Sequence, residues 1–420
     1  MASIVKFYQY QVSSIKGETL RLMLTLLGQR NFALLWIGQF VSVIGFWLLF
    51  ISLPYYIYDL TGSALATSTT FVVIGVPGLL LGPIAGVFVD RLNRKWVMLT
   101  SDLLRFALIL LLLLVRSADM VWLVYVVGFL EASAAQFFNP ARTAIIPQLV
   151  GEKHLVEANA LTSLGDNLAV VIGPTIGGSL YALFSFSGVT ILDSLSYLVS
   201  ALLIAGVSYK HLSNSTLPIP KNRQLGAIGR ELLAGFKVIR DNRVIKVIMA
   251  ISALIMLAVG ASNASLFLFF RNILHLGVQE WSWITALQGA GSILGGLLIG
   301  QAGAKVANPR VMGVAGFIGG GLYLVMINFP ALLTSLIVAP FFGIIVVGYG
   351  ICEQTLLQTN LADEYRGRVS AVYGAIITLF ATSGAIIAGV TLDTIGPVVV
   401  LNIVALAWLT TGALVLVLLP

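Results

Sequence analysis

Residues 209–243, YKHLSNSTLPIPKNRQLGAIGRELLAGFKVIRDNR, form the longest polar interval of a 420-residue chain. They carry Lys210, Lys221, Arg223, Arg230, Lys237, Arg240 and Arg243, with Pro218 and Pro220 among them. On one side lie apolar runs at about 31–58, 64–89, 96–115, 120–138, 158–183 and 187–208. On the other lie runs at about 244–270, 280–304, 309–328, 331–352, 367–389 and 397–419. About 20 apolar residues span the hydrocarbon of a bilayer as a helix. The pattern therefore predicts an all-α membrane protein with twelve transmembrane helices in two six-helix bundles. Its parts are a cytosolic N-terminal segment (1–30), a first bundle (31–208), a cytosolic linker (209–243) and a second bundle (244–420).

Composition excludes the ordinary soluble classes. The chain is 58% hydrophobic and 10% charged, against roughly 45–50% and 25% in a soluble domain. Forty-two glycines suit a bundle in which small residues let helices approach closely. A net charge of +7 could signal nucleic acid, but its distribution says otherwise. With the N-terminus in the cytosol, 21 of the 24 Lys and Arg fall on the cytosolic side, leaving Arg105 within a span and Arg116 and Arg271 outside. That bias places both termini in the cytosol of a multi-pass cell-membrane protein. Residues 1–30 lack a convincing signal-peptide cleavage pattern and read as a cytosolic, amphipathic lead-in. Cys352 is alone, which removes disulfides and CxxC metal pairs. There is no GxxxxGK[ST], HExxH or GxSxG, and only His154, His211 and His275, so an ATP-driven pump and a membrane enzyme are both disfavoured.

The halves keep a trace of duplication about 210 residues apart. Gly86 to Asp90 corresponds to Gly296 to Gly300, and each precedes a short basic loop ending in Val97-Met98 or Val311-Met312. Parallel repeats of this kind are a transporter architecture with a site between the halves near the midplane. The loop Gly86-Val-Phe-Val-Asp90-Arg91-Leu-Asn93-Arg94-Lys95 resembles the signature between helices two and three of the major facilitator superfamily. Asn93 stands where that family usually has Gly, and Asn is the other residue that enters the left-handed region readily. The resemblance implies that Asp90 steadies the outward-open state.

Phe138-Asn-Pro140-Ala-Arg142-Thr-Ala-Ile-Ile-Pro147 is similar to the loop after helix four in the drug-proton antiporter branch, which includes macrolide-efflux and enterobactin-exporter-type proteins. Glu231 to Lys237 and Arg366 to Val369 look like the same branch. Gly173-Pro174-Thr-Ile-Gly177-Gly178 is similar to the helix-five motif of the superfamily's exporters, with Ala169 in place of the leading glycine. Physically, the proline removes a helix hydrogen bond and the glycines permit close packing. The resemblance implies efflux of a small molecule by alternating access.

A charge inside a span costs about 2.5–3.5 kcal/mol on insertion scales, so intramembrane ionisable residues are candidates for function. Asp102 and Arg105, one turn apart in the third span, share a face and read as either an ion pair or a coupling element. Glu131 and Asp166 fall near mid-depth in the fourth and fifth spans. A carboxyl group out of water holds its proton to higher pH, and a neighbouring carboxylate strengthens the effect. Glu131 is the first candidate for proton coupling and Asp166 the second. Asp193 and Glu353 read as packing or loop-capping groups.

For the substrate path, Trp36, Gln39, Ser42 and Phe46 recur at helical spacing on one face of the first span. Asn263, Phe267 and Tyr349 lie in spans that face the cavity by resemblance. Aromatics with sparse polar groups suit a bulky amphipathic ligand. The expected partners are a small-molecule substrate, protons and the lipid bilayer. Nucleic acid, metal and cofactor are not expected, and a monomer is. The alternatives are an importer or lipid-handling facilitator of the same fold, and a non-transporting membrane sensor.

Overall fold

The computed structural model describes residues 25–208, 236–302 and 308–419. The helices are α1 (Arg30–Thr61), α2 (Ala64–Val89), α3 (Arg94–Leu111) and α4 (Val121–Val150). A helix over Leu155–Ala205 follows and breaks at Ser185, where φ is 57°. Its limbs, 155–184 and 186–205, are α5 and α6. Then come α7 (Arg243–Leu268), continuing into a wider turn over Phe269–Ile273, α8 (Val278–Ala302), α9 (Pro309–Asn328) and α10 (Leu332–Thr359). A last helix over Asp363–Leu418 breaks at Gly396, whose φ of 75° precedes Pro397. Its limbs, 363–395 and 397–418, are α11 and α12. Gly and Pro suit that break, since glycine takes positive φ without penalty and proline is preformed for a first helical turn.

Twelve membrane-spanning limbs are therefore present among the described residues, six before the linker and six after it. Their ends alternate between the side where the linker attaches, the linker end, and the opposite side, the far end. Polar side chains fix several starts: Ser63 accepts from the Ala66 amide, Asn242 from Ile245 and Asn308 from Val311. Residues 1–24 and 209–235, most of the predicted N-terminal segment and linker, lie outside the described residues. Of the predicted linker, 236–241 form a short helix running up to Asn242.

Two local expectations are corrected. Phe138–Pro147, expected as a loop, is helical throughout. Phe138, Ala141, Ile145, Ile146 and Val150 are buried at helical spacing against Phe32, Leu35, Ala158 and Leu161. That packing outweighs the single hydrogen bond each of Pro140 and Pro147 removes. Asn93 does not enter the left-handed region. At φ −70° and ψ 111° it caps α3, accepting from the Lys95 and Trp96 amides. Asp90 ends α2 with its amide bonded to the Gly86 carbonyl. Arg94 donates to the Ala144 carbonyl at 2.9 Å, and Lys95 to those of Ala205 and Val207 at 2.7 Å. The basic loop thus ties into α4 one turn short of its last and grips the final carbonyls at the end of α6, where the helix dipole favours cations.

The two bundles are fastened differently. In the second, glycines meet the backbone of a neighbouring helix: Gly260 lies on Ala381, Gly384 on Leu257, Gly291 on Pro340 and Gly343 on Gln288. A Cβ at any of these would overlap a carbonyl group. Glycines of the first bundle mostly face side chains, as Gly45 faces Ser196 and Asp193, and Gly173 faces Trp47. The halves meet along two seams. Gly389 packs on Ser68 and Gly75 on Thr382 between α2 and α11, while Gly178 packs on Ser282 and Gly289 on Val171 between α5 and α8.

Gly384→Val should lower the stability of the detergent-purified protein by about 3 kcal/mol or more, at or above the upper end of overpacking costs, because the obstacle is backbone. Gly350→Ala, where an added Cβ meets nothing within 4 Å, should stay within about 0.5 kcal/mol of the parent. Thermal unfolding followed by tryptophan fluorescence separates the two.

Candidate functional site

The first bundle buries a polar cluster between α3, α4 and α6. Asp102 and Arg105 share a face of α3, with Arg105 Nη1 3.8 Å from Asp102 Oδ1. The guanidinium reaches α4, where Nε lies 3.2 Å from Glu131 Oε1. From α6, the Tyr197 hydroxyl donates to Glu131 Oε1 at 3.1 Å and the Ser200 hydroxyl to Asp102 Oδ2 at 2.6 Å. The guanidinium also lies over the Tyr197 ring, 4.9 Å from its centroid, and 5.7 Å from that of Phe138. Asp102, Arg105, Glu131, Tyr197 and Ser200 are all buried, Asp102 and Ser200 completely.

Asp193 completes the cluster from α6 and is 1% exposed. Its carboxyl group lies near Ser196 of the same helix, with Oδ1 packed against Gly45 of α1. From sequence alone Asp193 reads as a packing or loop-capping group and only a secondary coupling candidate. Its membership could have been foreseen from Asp193, Tyr197 and Ser200, which recur at offsets of four and three on one face of α6. Two carboxyl groups therefore contact one guanidinium, and a third is buried in the same cluster. The surplus is expensive while ionised, because a buried charge needs a partner.

Glu131 and Asp166 are not brought together. Asp166 pairs with Arg142, Oδ1 to Nη1 at 3.3 Å, on the linker-end halves of α5 and α4. Its side chain is 40% exposed, in keeping with a water-facing site rather than a dry one. Arg142, counted with the loop charges in sequence, belongs to this pair. Gln39 and Trp36 line the same recess, with the Trp36 indole donating to the Leu161 carbonyl at 2.9 Å.

Of the remaining substrate candidates, Phe46 lines a cavity inside the first bundle with Glu131 and Asp193. Asn263 lines a depression of about 300 Å³ between the halves, beside Phe71, Gly75 and Thr378. Phe267 and Tyr349 are not cavity walls. Phe267 is fully buried against Tyr55, Tyr58 and Trp281, with ring centroids 4.9–5.8 Å apart, and Tyr349 is buried against Trp408 at 5.5 Å. Both answer to core packing, which helical spacing alone does not separate from a cavity face. The helix-five glycines also act by packing: Gly173 and Gly177 admit Trp47 and Leu48 of α1, and Gly178 admits α8. In the second bundle, Glu353, read as a loop-capping group, is buried and accepts from the Ser252 hydroxyl.

The halves are tied together at the far end. Arg271 Nη2 lies 2.7 Å from Asp59 Oδ1. The Tyr55 hydroxyl donates to the Leu276 and Gly277 carbonyls at 3.2 and 3.0 Å, and the Asn272 amide donates to the Tyr58 hydroxyl at 2.8 Å. No sequence motif marks this closure, since its partners are more than 200 residues apart.

Two membrane bundles tied at one end, with a depression between them and buried charge inside, define a multi-pass transporter. Residues 35–385 match the Major Facilitator Superfamily model, and the chain belongs to that family. Among its relatives is the macrolide efflux protein A of Streptococcus pyogenes, 26% identical over 87% of this chain and 90% of that one. The putative bacilysin exporter BacE of Bacillus amyloliquefaciens is 26% identical over 83% and 86%. A mutant of the nucleoside transporter NupG has the same fold, with a TM-score of 0.76 at 12% identity over 92% of this chain and 99% of that one. The relatives are transporters, not enzymes.

Arg105→Met should destabilise the detergent-purified protein by about 3–5 kcal/mol, because it strands buried carboxyl groups without a cation. Tyr197→Phe removes one hydrogen bond to a charged acceptor and should cost less, about 1.5–3 kcal/mol. Unfolding in mixed micelles gives both numbers.

Proposed function

We propose that the chain is a proton-coupled exporter of small amphipathic molecules that works by alternating access. The observation that carries this reading is the surplus of buried carboxyl groups around Arg105. A cluster with one guanidinium and three carboxyls is neutral only when two protons are held, so proton uptake and release are the natural means of changing its charge. Glu131 is the central group, since it touches both Arg105 and Tyr197. A shift of α3 against α4 or α6 alters the partners it touches. Asp166, half-exposed and paired with Arg142, acts instead as a fixed charge at the linker end. Export as the direction is supported by the macrolide efflux and bacilysin exporter relatives.

In this reading the two bundles, 31–208 and 244–420, rock about the seams, and the linker over 209–243 permits the motion. The charge asymmetry puts both termini and the linker in the cytosol of a cell membrane, so the far-end ties close the outer side. The protein works as a monomer. Opening outward requires Asp59 and Arg271 to part, while the basic loop after Asp90 keeps α2 and α3 in step with α4 and α6.

The deciding experiment uses purified protein in acid-loaded proteoliposomes with an internal pH dye, to which macrolides, lipophilic cations and catechol siderophores are added in turn. At least one compound should trigger proton release, and Glu131→Gln should abolish it while Asp166→Asn retains a substantial part. Release that survives in full in Glu131→Gln removes that residue from the coupling site. In the same vesicles Asp90→Asn should slow transport several-fold with substrate binding largely unchanged. Equal losses of both would exclude a purely conformational role for the loop.

A further inference from the structure

At the linker end of the second bundle a cleft of about 420 Å³ opens between α10 and α11. That is within the range of small-molecule clefts, roughly 300–1,000 Å³. Gln354, Leu357 and Gln358 of α10, with Leu361 in the turn that follows, share one helical face and form one wall. Arg366, Val369, Ser370 and Tyr373 of α11 repeat the same spacing and form the other. Leu357, Leu361 and Val369 are buried and make an apolar floor, while Gln354, Gln358, Arg366 and Ser370 are exposed.

The polar groups of the cleft offer donors, and the one full charge among its described lining residues is that of Arg366. Arg366 Nη2 reaches across to the Gln358 carbonyl at 3.3 Å, which holds the guanidinium between the two walls. A guanidinium carries five N–H donors, so this contact is compatible with forked pairing to a carboxylate. Tyr373 offers its ring rather than its hydroxyl, because the hydroxyl is bonded to Glu353 and Ser252 behind it. A carboxylate in the cleft would meet an opposite charge and amide donors, whereas an ammonium would meet a like charge.

The cleft and the depression between the halves share one face of α11. Ser370, Tyr373, Ile377 and Ala381 recur at offsets of three and four on that helix. The first two line the cleft and the last two line the depression. From Ser370 to Ala381 the distance along the axis is about 16 Å at 1.5 Å per residue. The stripe that joins them is a phenol ring, an isoleucine and an alanine, a surface suited to an apolar body. The depression has Asn263, Thr378 and Thr382 as its polar groups and no charge among its described lining residues. With the far end tied by Asp59 and Arg271, a molecule arriving from the linker end would meet the cleft first.

We propose that this cleft is an outer subsite at which an amphipathic carboxylate docks, its charge held by Arg366 with the Gln354 and Gln358 amides and its apolar body laid along Tyr373 and Ile377 toward the depression. The proposal rests on the transport reading above and names the chemical class of its substrate. Capture of the substrate is then separate from proton binding. The first is the work of exposed donors in the second bundle, the second that of the buried cluster around Arg105 in the first.

The test is isothermal titration calorimetry of the full-length protein in detergent near neutral pH, with three compounds of similar shape: 4-phenylbutyrate, its uncharged amide 4-phenylbutyramide and the cation 4-phenylbutylamine. The carboxylate should bind the parent protein about tenfold or more tightly than either of the others. Arg366→Gln should weaken the carboxylate by about tenfold or more and leave the amide unchanged. Ser370→Trp keeps every charge in place, fills the cleft and should remove carboxylate binding. Should Arg366→Gln fail to fold, judged by its melting transition, Ser370→Trp decides.

Carboxylate binding that either folded variant leaves unchanged, amide or amine binding as tight as that of the carboxylate, or no carboxylate binding up to millimolar concentration would each overturn the subsite. Such a result alongside proton release driven by other compounds would leave the transport reading standing. Carboxylate binding that responds to the variants, with no compound driving proton release, would keep the subsite and remove proton coupling.

Discussion

The guanidinium of Arg105 is the interaction on which the first bundle depends. One side chain on α3 reaches Glu131 on α4 and, through Asp102 and Ser200, is connected to α6. No apolar contact could join three spans at one point with comparable directionality. It also sets a constraint, since the cluster holds more acid than base and its net charge depends on how many protons it carries. The bundle's packing and its chemistry therefore rest on the same few atoms. A change of protonation is at once a change in what holds α3, α4 and α6 together.

That coupling gives the far-end closure its meaning. The Asp59–Arg271 pair and the Tyr55 and Tyr58 contacts hold the halves shut at one end, and the ion pair is partly exposed, so its net strength is modest. In the proposed alternating-access cycle, the seams of α2 on α11 and α5 on α8, lined with small residues, are the surfaces on which the halves turn. The far-end break at Gly396 in the long helix over Asp363–Leu418 lets α12 fold back against α9 through Gly316 and Gly412 without disturbing α11 at its seam.

Most of the fold was legible because apolar length and basic loops report directly on a bilayer. Twelve runs predicted twelve spans, and the structure has them. Boundaries were less legible where tertiary burial carried a helix onward, as at Phe138–Pro147, whose likeness to an interhelical loop did not foretell its burial against α1 and α5. The candidate site was legible in part. Asp102, Arg105 and Glu131 stood out because charge in lipid is expensive. The Asp102–Arg105 pairing was visible from their spacing, but the contact with Glu131 was not, because α3 and α4 meet in an arrangement that spacing within one helix cannot encode. Asp193 was undervalued for the same reason: its importance comes from Glu131 and Arg105, which approach it from other helices. Phe267 and Tyr349 show the converse, being aromatic residues whose sequence context fits a cavity wall equally well and whose neighbours make them core. The far-end ties left no local trace at all, since each joins residues in opposite halves.

The glycine contacts of the second bundle have a mechanical consequence. Where Gly260 lies on Ala381 and Gly384 on Leu257, the helices touch backbone to backbone, with no intervening side chains able to change rotamer and absorb a displacement. α7 and α11 are effectively spliced, and so are α8 and α10. Force applied at either seam is transmitted through this half with little loss, as through a lever arm. In the first half, where glycines more often face side chains such as Ser196 and Trp47, contacts can adjust by a change of rotamer.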